Sequence, residues 1–241
     1  MKIKQTAFAA VAMLLIVLAA ACGEKYNLVG LGDTATGARV KFVQACSNCP
    51  SVQVKVGGKY VTGAALGYNG TFPNVGYAAL PAGDVSYEFV RADSGTLVFA
   101  GKVTTSDGKY YTVFLNDTVP NISAFATEDD VTAVKEDTLA RVRFVHGLSA
   151  KSKDTLEFVR KIDSKVLFSG ITFGKSTPFV TNQGSTPDSF FVRKTGTTTA
   201  YPGIASLTGT WSQGRTYTIY SRGVTGKTGT PAPGLTFYTN R

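Results

Sequence analysis

The chain has one histidine, His146, and three cysteines, Cys22, Cys46 and Cys49. A structural zinc centre normally takes four nitrogen or sulfur ligands, and these four residues are too few once Cys22 is blocked as argued below. Charge is sparse as well: 17% of residues are charged, and no run of five or six basic residues occurs although the formal net charge is +9. A nucleic-acid binder gathers its cations into a patch or stripe. Here the charge reads as dispersed over a solvated surface, mildly favourable toward anionic envelope polymers, and no nucleic-acid partner is expected. Beyond the N-terminal segment no stretch keeps a long helical period, and no glycine-rich loop precedes a helix to cradle a phosphate. Calcium loops of the EF-hand type and nucleophile-elbow serines are missing too. These absences argue for a protein without cofactor or metal and without catalysis. A surface hydrolase using paired carboxylates is the rival reading, and two acids about 5–10 Å apart in one cleft would favour it.

What the first 22 residues hold is an address. Lys2 and Lys4 open it, an apolar run from Ala7 to Leu18 follows, and Ala19, Ala20 and Ala21 lead into Cys22. This is the layout of an export signal. A retained transmembrane anchor fits less well, because a span prefers roughly 20 apolar residues. The cysteine behind small residues resembles the lipobox of bacterial lipoproteins, with Ala19 where leucine is commonest. The resemblance implies a signal peptide over residues 1–21, lipidation of Cys22 and attachment to a membrane through that lipid. Gly23 and Glu24 supply no aspartate retention signal, which by resemblance to bacterial sorting rules favours the outer membrane and leaves its periplasmic or surface side open. Loss of Lys2 and Lys4 with the signal lowers the net charge from +9 to +7. Residues 22–37, with "GLGDTATG", read as a flexible tether.

The remainder is written twice. "ARVKFV" starts at Ala38 and "ARVRFV" at Ala140; "SDGKYYTVFL" from Ser106 is answered by "SQGRTYTIYS" from Ser212. Two matched segments in the same order argue for tandem duplication with a domain-sized period. Within each copy the pattern is strand. Val40 and Phe42 alternate with Arg39 and Lys41, and Val142 and Phe144 with Arg141 and Arg143, so period two puts the apolar set on one face and the basic set on the other. In "SVQVKVGGKYV", Gly57-Gly58 reads as a two-residue hairpin turn. Many short strands with frequent turn signals predict an all-β chain of two tandem antiparallel, immunoglobulin-like β-sandwiches. The expected boundaries are 38–130 and 140–241, separated by an acidic linker at 131–139.

The opening strand "ARVRFVH", the segment "ALPAGDVSYEF" and the strand "SDGKYYTVFL" together resemble a bacterial family catalogued as domain of unknown function 4397. Members often carry tandem β-sandwiches on exported proteins or lipoproteins. The resemblance implies fold and location and brings no activity with it. Gln44 stands in the first copy where the second has the more usual His146, and "GLSAKSKDT" replaces a proline-containing loop in the second copy.

Several residues remain as site candidates. Cys46 and Cys49 are followed by Pro50 and an alternating strand, not by the helix a redox motif needs. In an oxidising compartment the expectation is a small disulfide stapling the loop between the first two strands. His146, at a strand end, reads as a hydrogen-bonded structural residue. Tyr68, Phe72 and Tyr77 border the glycine-rich "GAALGYNGTFPNVGY", where exposed rings would bind a glycan or anchor an envelope protein; core filling is the competing reading. Asp-Thr-aliphatic triplets at Thr34, Thr118, Thr138 and Thr155 resemble an O-glycosylation acceptor motif of one group of Gram-negative bacteria, although Asp-Thr also favours turns and strand starts. The resulting expectation is a lipid-anchored envelope protein that binds or scaffolds, with glycan capture as the alternative.

Overall fold

The computed structural model describes residues 36–131, 138–149 and 154–240. Among them no helix forms, and seventeen strands build four sheets. β1 (Ala38–Gln44), β4 (Thr71–Phe72), β5 (Ala78–Leu80), β8 (Tyr110–Asn116) and β9 (Ser123–Glu128) make the first sheet. β2 (Val52–Val56), β3 (Lys59–Tyr60), β6 (Gly83–Arg91) and β7 (Leu97–Thr105) make the second. Val40, Phe42, Val54, Phe89, Val113 and Leu115 close the core between them. The third sheet holds β10 (Leu139–His146), β13 (Val180–Gln183), β16 (Thr216–Arg222) and β17 (Gly234–Thr239). It packs on the fourth, made of β11 (Leu156–Arg160), β12 (Lys165–Ile171), β14 (Pro187–Lys194) and β15 (Leu207–Thr210). Phe144, Phe158, Phe190 and Trp211 fill that second core. The alternation read from the sequence therefore produces sandwiches, as expected.

Each sandwich departs from all-antiparallel pairing once. β1 runs parallel to β8, with Phe42 opposite Val113, and β10 runs parallel to β16, with Phe144 opposite Ile219. A parallel pair needs a long crossover, and in each half the strands of the facing sheet supply it. The duplicated opening strand thus lies in the middle of its sheet, paired on both sides.

The expected turn at Gly57-Gly58 joins β2 to β3, both glycines at positive φ (55° and 77°) as a type I′ hairpin requires. The second duplicated segment forms a matched device in each half. The Tyr111 hydroxyl accepts from the Ser106 backbone N–H at 3.1 Å, and the Tyr217 hydroxyl from that of Ser212 at 3.0 Å. A tyrosine hydroxyl bonded back to the chain a few residues upstream is the tyrosine corner of immunoglobulin-like sandwiches.

The face of β1 and β10 turned away from the core is where expectation and structure part. Val43, Phe114 and Phe125 from the first sheet form one buried cluster with Val145, Tyr220 and Tyr238 from the third. The two sandwiches therefore stack through these sheets, giving four layers with the second and fourth sheets outermost. Lys41 and Arg143, expected on a solvated basic face, are 0% and 1% exposed.

Candidate functional site at the junction of the two sandwiches

Cys22 and Thr34 lie outside the described residues. Cys46 and Cys49 are joined by a disulfide, with Cα atoms 5.4 Å apart, in the loop between β1 and β2. The Asn48 side-chain oxygen in the same loop accepts from the Val119 backbone N–H at 2.8 Å. Gln44 and His146 do matched work: the Gln44 amide donates to the Pro50 carbonyl at 3.5 Å, and His146 Nε2 lies 3.0 Å from the Asp154 carbonyl. Each fastens the loop that follows its own strand. Burial pulls the imidazole below its ordinary pKa, against the opposing Asp154 carbonyl, so His146 is held as a neutral structural residue. Thr138 is exposed, while Thr118 and Thr155 are half-buried.

Tyr68, Phe72 and Tyr77 do not form a platform of free rings. Phe72 pairs with Phe42 across β4 and β1 and packs on the first core. The Tyr68 hydroxyl accepts from Arg222 at 3.2 Å, and the guanidinium carbon lies 5.1 Å from the ring centroid. Tyr77 is drawn into the junction described next. The glycine-rich stretch supplied polar aromatics, but β16 and the residue directly after β17 of the other sandwich supplied their partners. Sequence spacing does not record that pairing, because the partners stand 154 and 163 residues away.

At the junction five side chains close a ring of hydrogen bonds. The Asn240 amide donates to the Tyr77 hydroxyl at 2.7 Å, which donates to Asp129 Oδ2 at 2.8 Å. Arg143 Nη2 donates to Asp129 Oδ1, and Arg143 Nε to Thr218 Oγ1 at 2.9 Å. Thr218 donates back to Asn240 Oδ1 at 2.8 Å. Tyr77 and Asp129 come from the first sandwich, the other three from the second. Thr112 and Thr127 add donors to Asp129 at 2.5 and 3.1 Å, so its carboxylate receives four in all. Arg143 also donates to the Glu128 carbonyl at 3.0 Å and lies 4.7 Å from the Phe179 ring centroid. A buried ion pair is tolerated when its remaining hydrogen-bonding capacity is met in this way.

The electrostatics follow the burial. Burial pulls the Arg143 guanidinium down, but Asp129 more than compensates and holds it above its ordinary range. Burial, reinforced by the Asp129 charge, pushes the Tyr77 hydroxyl up, and burial does the same to Tyr220 and Tyr238. Lys41 sits beside the ring, 5.5 and 5.6 Å from the Tyr77 and Tyr238 centroids, its ammonium donating to the Pro73 carbonyl at 2.6 Å. Burial lowers it to about 8, with Asp129 opposing. At the far end the Asn116 amide donates to the Gly147 carbonyl at 2.8 Å and Ser149 to Asp117 at 2.6 Å.

Two depressions open where the junction meets solvent. One, of 360 Å³, is lined by Gly108, Lys109, Tyr110, Glu128, Asp129, Asp130 and Val131. Its carboxylates all have cation partners: Lys109 at 3.1 Å from Glu128, Arg143 on Asp129, and Arg141 at 2.9 Å from Asp130. The other, of 410 Å³, shares Tyr110 and Val131 with it and adds Arg39, Tyr77, Arg215 and Asn240. Among the described residues no group of three or more His, Cys, Asp or Glu is arranged to hold a metal.

No curated protein matches the chain. A family model does, from the first residue of β1 through β10 and its following loop, so the match takes in the whole first sandwich and the strand that carries Arg143. The model that matches residues 38–154 is described as Domain of unknown function (DUF4397).

Proposed function

We propose that this protein is a non-enzymatic module of the bacterial cell envelope, tethered to the outer membrane by a lipid on Cys22, in which two sandwiches act as one rigid binding or scaffolding body. The observation that carries the proposal is the closed polar ring at the junction. Two domains that move independently meet through modest polar contacts, whereas here an ion pair and two tyrosines, Tyr220 and Tyr238, are removed from water between them. A spacer that holds a surface at fixed distance and angle from a lipid gains from such stiffness. The carboxylates of the cleft each have a cation partner, which favours a structural role for them over acid–base work. O-glycosylation at Thr34, Thr118, Thr138 and Thr155 belongs to the same proposal, with the exposed Thr138 as the most accessible of the three described acceptors.

The test is made on protein extracted from its own membrane. Mass spectrometry is expected to find acyl groups on an N-terminal cysteine, and crosslinking in intact cells to return envelope proteins or glycans. An unacylated chain recovered in the aqueous fraction overturns the proposal.

A further inference from the structure

The two sandwiches close the end of their first strand with one backbone arrangement and two different side chains. The Gln44 carbonyl accepts from the Asn69 N–H at 2.7 Å, and the Gln44 N–H donates to the Gly70 carbonyl at 2.9 Å. His146 repeats this with Gly174 at 2.8 Å and Lys175 at 3.0 Å. The first copy thus has an amide that does not titrate, and the second has the only imidazole of the chain. His146 is 0% exposed. A carbonyl oxygen only accepts, so the contact with the Asp154 carbonyl places the ring proton on Nε2. Nδ1 is buried with no hydrogen-bond partner among the described residues. The ring also begins a row of contacts that crosses the junction. His146 meets Phe173 edge to face at 6.2 Å, Phe173 meets Phe125 of the first sandwich at 5.7 Å, and Phe125 stacks on Phe114 at 5.0 Å. The residues that follow His146 are bonded across as well, Gly147 to Asn116 and Ser149 to Asp117.

We infer that His146 is an acid-released clasp: a second proton on its ring frees the segments 147–149 and 172–175 and loosens this end of the junction, while the matched Gln44 end of the first sandwich stays closed. A protonated ring adds a charge removed from water and an N–H with no free acceptor, and both costs vanish once the segments open to solvent. Burial holds the imidazole below its ordinary 6.5, outweighing the Asp154 carbonyl, the Asp154 charge and the residue's own backbone, which favour the charged form. The unfolded chain therefore binds the proton first, and stability falls as pH drops below about 6.5. Other charged groups on the surrounding elements are already engaged or lie in solvent. Lys194 of β14 holds the Asp154 carboxylate at 2.9 Å and the Tyr201 hydroxyl donates to it at 2.7 Å. Lys175 is exposed, and Asp117 receives the Ser149 hydroxyl. β16 pairs with His146 through uncharged Ser221, and Arg222 beyond it is bonded to Tyr68. This inference deepens the rigid pair of the proposed function and rests on that part of it, not on the lipid.

The experiment follows amide hydrogen exchange of the full chain in non-ionic detergent from about pH 7.5 to about pH 5, expressed as protection factors so that intrinsic exchange cancels. Protection at Gly147, Leu148 and Gly174 is expected to fall by up to about tenfold per pH unit below about pH 6.5. Asn69, the counterpart of Gly174, is expected to stay level. His146→Gln copies the residue of the first sandwich and keeps an N–H donor for the Asp154 carbonyl, so it is expected to abolish the fall. No fall in the wild type, an equal fall at Asn69, or a fall that persists in His146→Gln overturns the inference. Should the variant fail to fold, the comparison of Gly174 with Asn69 within the wild type carries the test. Two melting transitions already at neutral pH would defeat the rigid pair instead, so the two failures stay distinct.

Discussion

Lys41 is a basic residue in a strand that alternates basic and apolar, and an ammonium in such a place ordinarily reaches water. Here it is enclosed by two tyrosine rings and donates to a carbonyl. Its folded pKa of about 8 lies below the ordinary 10.5. The native state thus binds fewer protons than the unfolded chain between these two values, and stability rises with pH across that window. Below pH 8 the burial cost of the charge is present in full. Between pH 8 and 9.5 the protein is expected to gain about 2 kcal/mol from this group. The upper limit matters because the buried tyrosines, raised by burial, act in the opposite direction once unfolded tyrosine ionises near pH 10. Urea titrations of the wild type and Lys41→Met over this range check it: the gain should vanish in the variant, and an equal slope in both would reject the assignment.

At the scale of elements, each half repeats a short device whose parts are local. The tyrosine corner fastens the turn before β8 and β16 to the strand itself. Tyr111→Phe and Tyr217→Phe each remove one hydroxyl acceptor and keep the ring. Each is expected to cost about 1 kcal/mol, and the double variant about the sum, since the two corners belong to different cores and share no partner. Denaturant midpoints of the four proteins measure this, and a markedly non-additive pair would show that the corners are coupled through the junction. These elements were legible in the sequence because strand alternation, the Gly57-Gly58 turn and the Cys46/Cys49 loop all lie within a few residues. The parallel pairing of β1 with β8 and of β10 with β16 was not legible. Alternation marks which face a residue takes, but not the direction of the neighbouring strand.

For the whole molecule, the ring of Tyr77, Asp129, Arg143, Thr218 and Asn240 determines whether two sandwiches behave as one. Removing one charge leaves the other buried without compensation. Arg143→Met or Asp129→Leu alone is expected to cost about 3–5 kcal/mol, and the pair together much less than the sum. Calorimetry adds a second readout: the wild type should unfold in one transition, and the single variants should separate into two as the halves uncouple. A wild type that melts in two steps would reject the rigid pair.

The placement of the candidate site belongs to this largest scale. The sequence by itself determined that the chain is sheet-built and duplicated, which residues of each strand face a core, and that Cys46 and Cys49 lie close enough to join. These features depend on period-two geometry and short separations along the chain. Only the tertiary structure decided that the basic faces of β1 and β10 turn toward one another, that Tyr68 and Tyr77 are bonded across the junction, and that Arg39 and Arg215 share a groove. The physical reason is that a strand face of arginine, lysine and threonine looks alike in sequence whether it meets water or a second sheet. What separates the two cases is a partner for every buried charge, and those partners lie elsewhere in the chain, across the interface or on a neighbouring strand.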